Sequence, residues 1–232
     1  MIHIQDFTFN SFQTRCSVIW DEAGNCAIVD PGFSNASERD ALTGLIASRS
    51  LKPVCIMLTH GHFDHVLGVA ELSSLYGSLP IYMHPEDKFT LSNNDFFTRC
   101  FGAPMPAAFE TVDIAEGHVI EVGSLHFEVI FTPGHSRGGV CYLERQEKIL
   151  ISGDTLFAGA IGRSDHPGGD YDQLMKSILE KLMVLDGSIA VIPGPRSMHR
   201  HSQGRHDQPV PPPFQRTIRR LMSHRVTHGP KA

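Results

Sequence analysis

The sequence predicts an α/β fold in which stacked β-sheets carry helices on their outer faces. Short apolar runs bounded by Gly, Pro, Asn and Asp alternate with helical patterns in both halves of the chain. The 232 residues, 41% of them hydrophobic and 19% charged, suffice for a large buried core and argue against disorder. No run of eighteen apolar residues is present, so we expect no membrane-spanning helix.

Nine apolar runs are predicted to be strands. They are Phe7–Phe9, Cys16–Trp20, Cys26–Val29, Val54–Leu58, Ile81–Met83, Leu125–Phe131, Val140–Leu143, Lys148–Ile151 and Ile189–Ile192. Helical periods cover Ala36–Arg49, Val66–Tyr76 and Tyr171–Leu185. Asn35 is the predicted N-cap of the first helix. Residues 85–118 are irregular and aromatic, which fits either a lid over an active site or an ordinary surface loop.

The cysteines and the N-terminal residues bear on the cellular compartment. Five scattered cysteines form no CxxC pair, and the N-terminal residues contain no basic region followed by an apolar run. An odd number of cysteines without a secretion signal favours a reducing compartment over a disulfide framework. We therefore expect a cytoplasmic location.

A dense group of potential metal ligands follows the predicted strand Val54–Leu58. His60, His62, Asp64 and His65 lie within six residues, and Gly61 permits a turn that lets the first two point the same way. The following helix is predicted to begin at Val66, which places the last two near its N-terminus, where an anion or a metal-bound oxyanion is favoured. Imidazole and carboxylate ligands together suit zinc, iron or manganese.

Two more predicted strands end at residues of the same kind. Leu125–Phe131 leads into Thr-Pro-Gly-His with His135, and Lys148–Ile151 leads into Ser-Gly-Asp with Asp154. Each motif alone is explained by a turn, because Pro, Gly and Asp all favour turns. Three successive strand ends that present metal ligands are better explained by one shared site.

These motifs, in this order, resemble those of the metallo-β-lactamase superfamily over residues 10–194. Asp30-Pro31-Gly32 resembles the early aspartate turn of that family. The resemblance implies one domain over residues 1–194, an αββα sandwich with two mixed β-sheets, helices on the outer faces, and metals at one edge of the sheets. Residues 153–157, 162–165 and 167–169 look most like the glyoxalase II group, the hydroxyacylglutathione hydrolases, in its compact bacterial form.

The resemblance also implies a set of residue roles. His60, His62 and His135 would hold one divalent metal, while Asp64, His65 and a further histidine would hold a second. Asp154 would bridge the two metals, and Asp30 would support the ligands without binding a metal. Zinc is the expected metal, with iron or manganese as alternatives.

The expected reaction is attack of a metal-bound hydroxide, formed near neutral pH, on the carbonyl of a small-molecule thioester or related ester. Asp64 would also orient the nucleophile. Arg163 is either a substrate-side cation or the partner of Asp165 in a salt bridge. Neither a membrane nor a nucleic acid is an expected partner.

Three rival functions remain open on the sequence alone. A sulfur dioxygenase would use one iron held by His60, His135 and Asp154. A lactonase or phosphodiesterase would use the same scaffold. A non-catalytic chain would have lost its second metal site.

The C-terminal segment departs from the family pattern after Gly194. A histidine is expected there in a Pro-Gly-His-Gly-Pro turn, but Pro195-Arg196-Ser197 follows. Residues 195–232 carry eight Lys and Arg, six Pro, five His and one acidic residue, a composition that fits a basic tail. We expect this tail to be disordered or aberrant, with no regular strand pairing through residues 208–213 because of the prolines.

A one-base insertion offers an explanation for this departure. Codons exist for residues 195–202 that, read one base later, encode His-Gly-Pro-Cys-Thr-Asp-Ile. We therefore predict that residues 195–232 are out of frame, which is why we discount nucleic-acid binding by the tail. Without the expected histidine the second metal site is predicted to be weak, unless His199, His201 or His206 replaces the missing ligand.

Overall fold

The computed structural model describes residues 1–157 and 159–194, and the backbone of residues 207–209. The strands are β1 His3–Phe9, β2 Thr14–Trp20, β3 Asn25–Val29, β4 Lys52–Met57, β5 Ile81–Met83, β6 Val112–Asp113, β7 Val119–Val122, β8 Leu125–Phe131, β9 Val140–Glu144, β10 Ile149–Gly153, β11 Leu156–Phe157, β12 Ala160–Gly162, β13 Ala190–Pro193 and β14 Asp207–Pro209. The helices are α1 Ala36–Ser48, α2 Phe63–Val66, α3 Val69–Leu75, α4 Lys88–Ser92, α5 Asn94–Phe101 and α6 Tyr171–Ser177. A 3₁₀ turn over Pro85–Asp87 precedes α4, and a π-helical turn over Ile178–Leu182 continues α6.

Two larger sheets form the centre of the fold. The first contains β1 to β6 in sequence order, with the first three strands antiparallel and β3 to β6 parallel. The second has the order β13-β10-β9-β8-β7, in which only β13 and β10 run parallel. A small third sheet joins β11, β12 and β14.

Alternation along the strands divides the apolar side chains into three layers. In β3, Ala27 and Val29 face the second sheet, whereas Ile28 faces the layer of Leu42 and Ile46 on α1. On the far side, Leu174 of α6 packs with outward-facing apolar residues of the second sheet. The predicted αββα sandwich, with two mixed sheets and helices on the outer faces, is therefore confirmed.

The topology brings the ends of several strands to one edge. β3 and β4 are parallel, so both end at the same edge of the first sheet. β8 and β10 both run antiparallel to β9, and β13 is parallel to β10, so these three also end together. The two sheets meet there, because Val140 N donates to Thr59 O at 2.9 Å and Tyr142 Oη to Leu58 O at 2.6 Å.

The predicted helix boundaries hold for α1 but not for the next segment. Asn35 caps α1 as predicted, since its side chain accepts a hydrogen bond from Glu38 N at 3.0 Å. The single helix expected over Val66–Tyr76 is instead two helices, α2 and α3, interrupted before Val69. Gly68 contacts the Phe33 ring so closely that a Cβ there would lie 2.2 Å from a ring carbon. The prediction that the helix begins at Val66 was therefore wrong, and Asp64 and His65 lie within the one-turn helix α2.

The sequence prediction also missed the short strands β6, β7, β11, β12 and β14. Most of the segment expected to lack structure, residues 195–206 and 210–232, lies outside the described residues. Within it, however, β14 pairs antiparallel with β12, so that Gln208 lies opposite Ile161 and Pro209 opposite Ala160. The expectation that prolines exclude regular pairing was wrong at these two positions, because an edge strand tolerates proline.

The structure also bears on the cysteines and on the question of a membrane-spanning helix. All five cysteines are free, and four of them are buried in the apolar layers. Across the described part of the chain, every helix is too short or too polar to cross a bilayer.

Candidate metal centre

Three imidazole rings converge where the two sheets meet. His135 Nε2 lies 3.0 Å from His62 Nδ1 and 3.3 Å from His60 Nε2. Two ligands about 2.0–2.1 Å from one zinc ion in tetrahedral geometry are about 3.4 Å apart. These three nitrogens therefore have the spacing of ligands that share a single metal ion.

Hydrogen bonds on the opposite side of two rings fix which nitrogen is available. His135 Nδ1 lies 2.7 Å from the carbonyl oxygen of Arg163, which can only accept, so Nδ1 carries the proton. Thr59 donates its hydroxyl proton to Asp30 at 2.6 Å and so accepts from His60 Nδ1 at 3.0 Å. Both Nε2 atoms are thereby left as lone-pair donors, the state in which histidine binds a metal.

A second group of donors lies beside the first. His65 Nε2 is 3.6 Å from Asp64 Oδ2 and 3.5 Å from Asp154 Oδ1. The other oxygen of Asp154, Oδ2, lies 3.7 Å from His135 Nε2, so this carboxylate faces both groups. His65 Nε2 is buried and makes no hydrogen bond among the described residues, which is costly unless a cation occupies the space beside it.

Asp30 supports this arrangement from behind. Its Oδ1 accepts from Thr59 N at 2.8 Å, and its Oδ2 accepts from Thr59 Oγ1 and from His65 Nδ1, the latter at 3.1 Å. Asp30 also lies close enough to His60 and His65 to form a possible ligand trio with them. Because its oxygens already accept three hydrogen bonds, and because His65 turns Nδ1 and not Nε2 toward it, Asp30 orients Thr59 and His65 rather than presenting a free oxygen to the centre.

The electrostatics of the two groups differ in sign. Burial lowers the pKa of His60 and His62, and it lowers the pKa of His135 to about 3, so these rings are neutral at pH 7. Burial also acts to lower the pKa of His65, but Asp64, Asp154 and Asp30 outweigh it and raise that pKa to about 10. The three carboxylates thus stabilise a positive charge at His65, and a bound metal cation would supply this charge in place of the proton. The residues present fit a pair of cations.

Comparison with known proteins also indicates a metal-binding protein. A family model, the metallo-beta-lactamase superfamily, matches residues 10–194, which include all six converging side chains. The chain belongs to the metallo-β-lactamase superfamily. Membership in this superfamily implies divalent metal binding, and the cluster of His60, His62 and His135 is a candidate place for it.

Several relatives within the superfamily match most of the chain. Hydroxyacylglutathione hydrolase GloC of Haemophilus influenzae is 34% identical over 210 residues, which are 90% of this chain and 97% of that protein. The structure of BLEG-1, a B3 metallo-beta-lactamase, superposes with a TM-score of 0.76 at 31% identity and covers 84% of this chain and 92% of its own. The di-iron-bound form of TTHA1623 superposes with a TM-score of 0.72 at 33% identity and covers 83% and 92%.

The sequence prediction singled out Arg163 as either a substrate-side cation or a salt-bridge partner. In the structure its guanidinium contacts the carboxylate of Asp165, and this hydrogen bond lowers the pKa of the Asp165 carboxyl. Its backbone carbonyl holds His135, as described above. The salt bridge is therefore present, and the backbone of Arg163 supports the metallo-β-lactamase centre.

Other residues at this centre were missed by the sequence prediction. Thr14 donates to Asp64 Oδ2 at 2.6 Å, and Asn10 donates to the Asp64 carbonyl at 2.9 Å. The His166 ring lies 4.9 Å from the His62 ring and 5.2 Å from the His135 ring. A single Thr or Asn distant from the ligand motifs carries no signal in the sequence alone. His166 stands between the segments 162–165 and 167–169 that resemble the glyoxalase II group, and was not part of that resemblance.

The insertion over residues 85–118 also reaches the centre. Phe97 of α5 is buried, and its ring lies 5.1 Å from the His62 ring and 5.6 Å from the His166 ring. Arg137, two residues after His135, places its guanidinium 3.5 Å from the centre of the Phe89 ring. The insertion is thus in contact with the loop after β4, which carries His62, and with the loop after β8, which carries Arg137.

Proposed function

We propose that the chain is a metal-dependent hydrolase of thioesters or related esters, similar in reaction to glyoxalase II. The observation that carries this proposal is the pair of donor groups that share Asp154 at the seam of the two sheets. The relative that supports the substrate class is the hydroxyacylglutathione hydrolase GloC, 97% of whose length this chain matches. A free small-molecule substrate in the cytoplasm is part of the proposal.

The ligand assignment follows the convergence of the side chains. We assign His60, His62 and His135 to one divalent ion, and Asp64 and His65 to the second, with Asp154 between them. Zinc suits this mixture of imidazole and carboxylate ligands. Iron is the alternative, since the relative TTHA1623 has a di-iron-bound form.

Bound metal ions would supply a nucleophile near neutral pH, by lowering the pKa of water, and a Lewis acid for the carbonyl oxygen. The protein contributes orientation. Thr14 donates to Asp64 Oδ2 at 2.6 Å, the oxygen that lies 3.6 Å from His65 Nε2, and so fixes the carboxylate that we expect to orient the nucleophile. Asp30 and the Arg163 carbonyl hold His65 and His135 with their protonated nitrogens turned away from the centre.

The test combines metal quantification with a panel of substrates. Purified protein should contain bound divalent metal and should release free thiol from a hydroxyacylglutathione thioester. His135→Ala should lose one metal ion and reduce hydrolysis to background, because it removes an imidazole from the first group while leaving the strands intact.

Other members of the panel separate the rival activities. Oxygen uptake with glutathione persulfide would identify a sulfur dioxygenase. Preferential cleavage of a lactone or a phosphodiester would identify those hydrolases, and cleavage of a β-lactam would match the B3 enzyme to which the chain is similar. Metal binding without turnover of any of these compounds would contradict the proposal and indicate a non-catalytic chain.

A further inference from the structure

Asp87 is a fully buried carboxylate outside the proposed ligand set. It lies at the end of the 3₁₀ turn that begins the insertion, and its side chain is 0% exposed. Its Oδ2 accepts from Gly61 N at 2.6 Å and from Ser136 Oγ at 3.1 Å. Its Oδ1 accepts from Gly138 N at 2.8 Å and from Thr90 Oγ1 at 3.0 Å.

These donors belong to the two loops that carry the first group of histidines. Gly61 stands between His60 and His62, whereas Ser136 and Gly138 follow His135. A single carboxylate therefore bonds to the loop after β4 in the first sheet and to the loop after β8 in the second. This bridging distinguishes Asp87 from Asp30, whose hydrogen bonds described above go to the first loop.

The backbone carbonyl of Gly61 is also held by a side chain of the insertion. Asn94, 1% exposed on α5, donates its amide to the Gly61 carbonyl at 2.9 Å. Asp87 accepts from the N–H of Gly61 and Asn94 donates to its C=O, so the backbone between the two histidines is fixed at both polar groups. Both side chains come from the insertion.

The contact between the insertion and the loops is direct. A Cβ on Gly138 would lie 2.4 Å from Asp87 N, and a Cβ on Gly61 would lie 3.1 Å from Asp87 O. Glycine at these positions lets the backbones touch without an intervening side chain. Burial raises the pKa of the Asp87 carboxyl, while the bonds from Gly138 and Gly61 oppose that effect.

We propose that Asp87, assisted by Asn94, is a positioning residue that sets the distance between His60 and His62 on one loop and His135 on the other. The proposal rests on the metal binding that is part of the proposed function, but not on the identity of the substrate. If the proposal is correct, the function of the insertion is to preorganise the first metal site through Asp87 and Asn94. Residues that orient metal ligands typically change metal affinity or activity about 10- to 100-fold when they are mutated.

The test is Asp87→Asn in the full-length protein. All four partners of Asp87 donate, so the NH₂ group of the introduced amide must face at least one donor, and two of the four are the backbone N–H groups of Gly61 and Gly138. We expect the affinity for the first metal, measured by competition with a chromophoric chelator, to fall about 10- to 100-fold. The visible absorption spectrum of the Co²⁺-loaded protein should also change, because it reports the ligand geometry.

Asp21→Asn is the matched control. Asp21 is also buried, at 2% exposed, and accepts backbone N–H bonds from Ala23, Asn25 and Ser124. It lies at the opposite end of β3 from the metal centre. This variant should lose thermal stability but keep the parent metal affinity and cobalt spectrum.

The outcomes separate this proposal from the proposed function. Asp87→Asn with metal affinity within about twofold of the parent and an unchanged cobalt spectrum would overturn the positioning role. If Asp87→Asn does not fold, Asn94→Leu replaces it, and an unchanged affinity and spectrum in that variant would equally overturn the role. The parent protein could bind metal, and Asp87→Asn could lower the metal affinity as expected, while neither protein hydrolyses a thioester. This result would support the role of Asp87 and refute the proposed function.

Discussion

Replacing Asp30 by Asn tests whether His65 is oriented from behind. The substitution keeps the shape of the side chain, and Asn tolerates the positive φ of 48° that Asp30 adopts. It removes the acceptor that faces His65 Nδ1 at 3.1 Å. With the amide oxygen kept on Thr59 N, the new NH₂ group faces the imidazole, so Nδ1 must become an acceptor.

The consequence falls on the other ring nitrogen. A neutral His65 that accepts at Nδ1 carries its proton on Nε2, the atom turned toward Asp64 and Asp154. Binding of the second metal then requires loss of the hydrogen bond from the introduced amide or a change of tautomer. Effects of this kind are about 10- to 100-fold in affinity, or roughly 1.4–2.7 kcal/mol.

The assay is metal titration of the metal-free protein, followed by calorimetry. Asp30→Asn should weaken the second binding event most, because His65 bonds to Asp30 directly. The first event should change less, because only His60 of its three ligands is linked to Asp30, and that link runs through Thr59. Two unchanged dissociation constants would refute the reasoning. An equal loss at both sites would show that Asp30 acts through the Thr59 to His60 hydrogen bonds instead.

The remaining predictions concern acid stability and the C-terminal segment. Burial acts to raise the pKa of Asp21, but hydrogen bonds from Ser124 and Asn25 outweigh it and lower that pKa to about 2. Asp21 therefore stabilises the fold above pH 4, and this stabilisation disappears as the pH falls toward 2. The Asp21→Asn variant should be less stable than the parent at pH 7, by about 1–3 kcal/mol for an unpaired buried donor. Thermal midpoints of the two proteins should converge near pH 2, and parallel curves would contradict this. Changing Pro195-Arg196-Ser197 to His-Gly-Pro should raise both second-metal occupancy after dialysis and the rate of thioester hydrolysis. Tight binding of two metals by the unaltered chain would contradict the predicted defect, and DNA sequencing that confirms an intact frame would contradict the predicted one-base insertion.

Much of the fold could be predicted because the strands are buried on both faces. Runs such as Val54–Leu58 and Leu125–Phe131 are rich in apolar residues, which is typical of strands between two layers. The three-residue strand β5 was predicted because Ile81, Tyr82 and Met83 are all large apolar or aromatic residues, whereas β11 has only two residues and β12 contains Gly162, so neither forms a pattern. The break between α2 and α3 was not predictable either, because at the break Gly68 donates its N–H to the Pro31 carbonyl and packs against Phe33, residues 37 and 35 positions away in sequence.

In the candidate site, too, some residues could be predicted from the sequence and others could not. Metal ligands cluster in sequence because a tight turn after one strand can supply several of them, so HxHxDH stands out. Residues that orient the ligands act through single long-range hydrogen bonds, as Thr14 does toward Asp64 across 50 positions. Asp30 was found only through its family resemblance. Asp87 had no such signal, because a lone Asp in an irregular segment is typical of a surface residue.

The seam between the two sheets has a thermodynamic consequence. His60, His62, Asp64 and His65 come from the first sheet's half of the chain, whereas His135 and Asp154 come from the second. A cation held by both halves acts as a non-covalent cross-link between segments about 70 to 90 residues apart, and such links favour the folded over the unfolded chain. Free metal at 100 times its dissociation constant would add about 2.7 kcal/mol to the free energy of unfolding. With the proposed ligand set, the stability of this protein would depend on metal concentration, and we expect a chelator to loosen first the contacts between the two sheets.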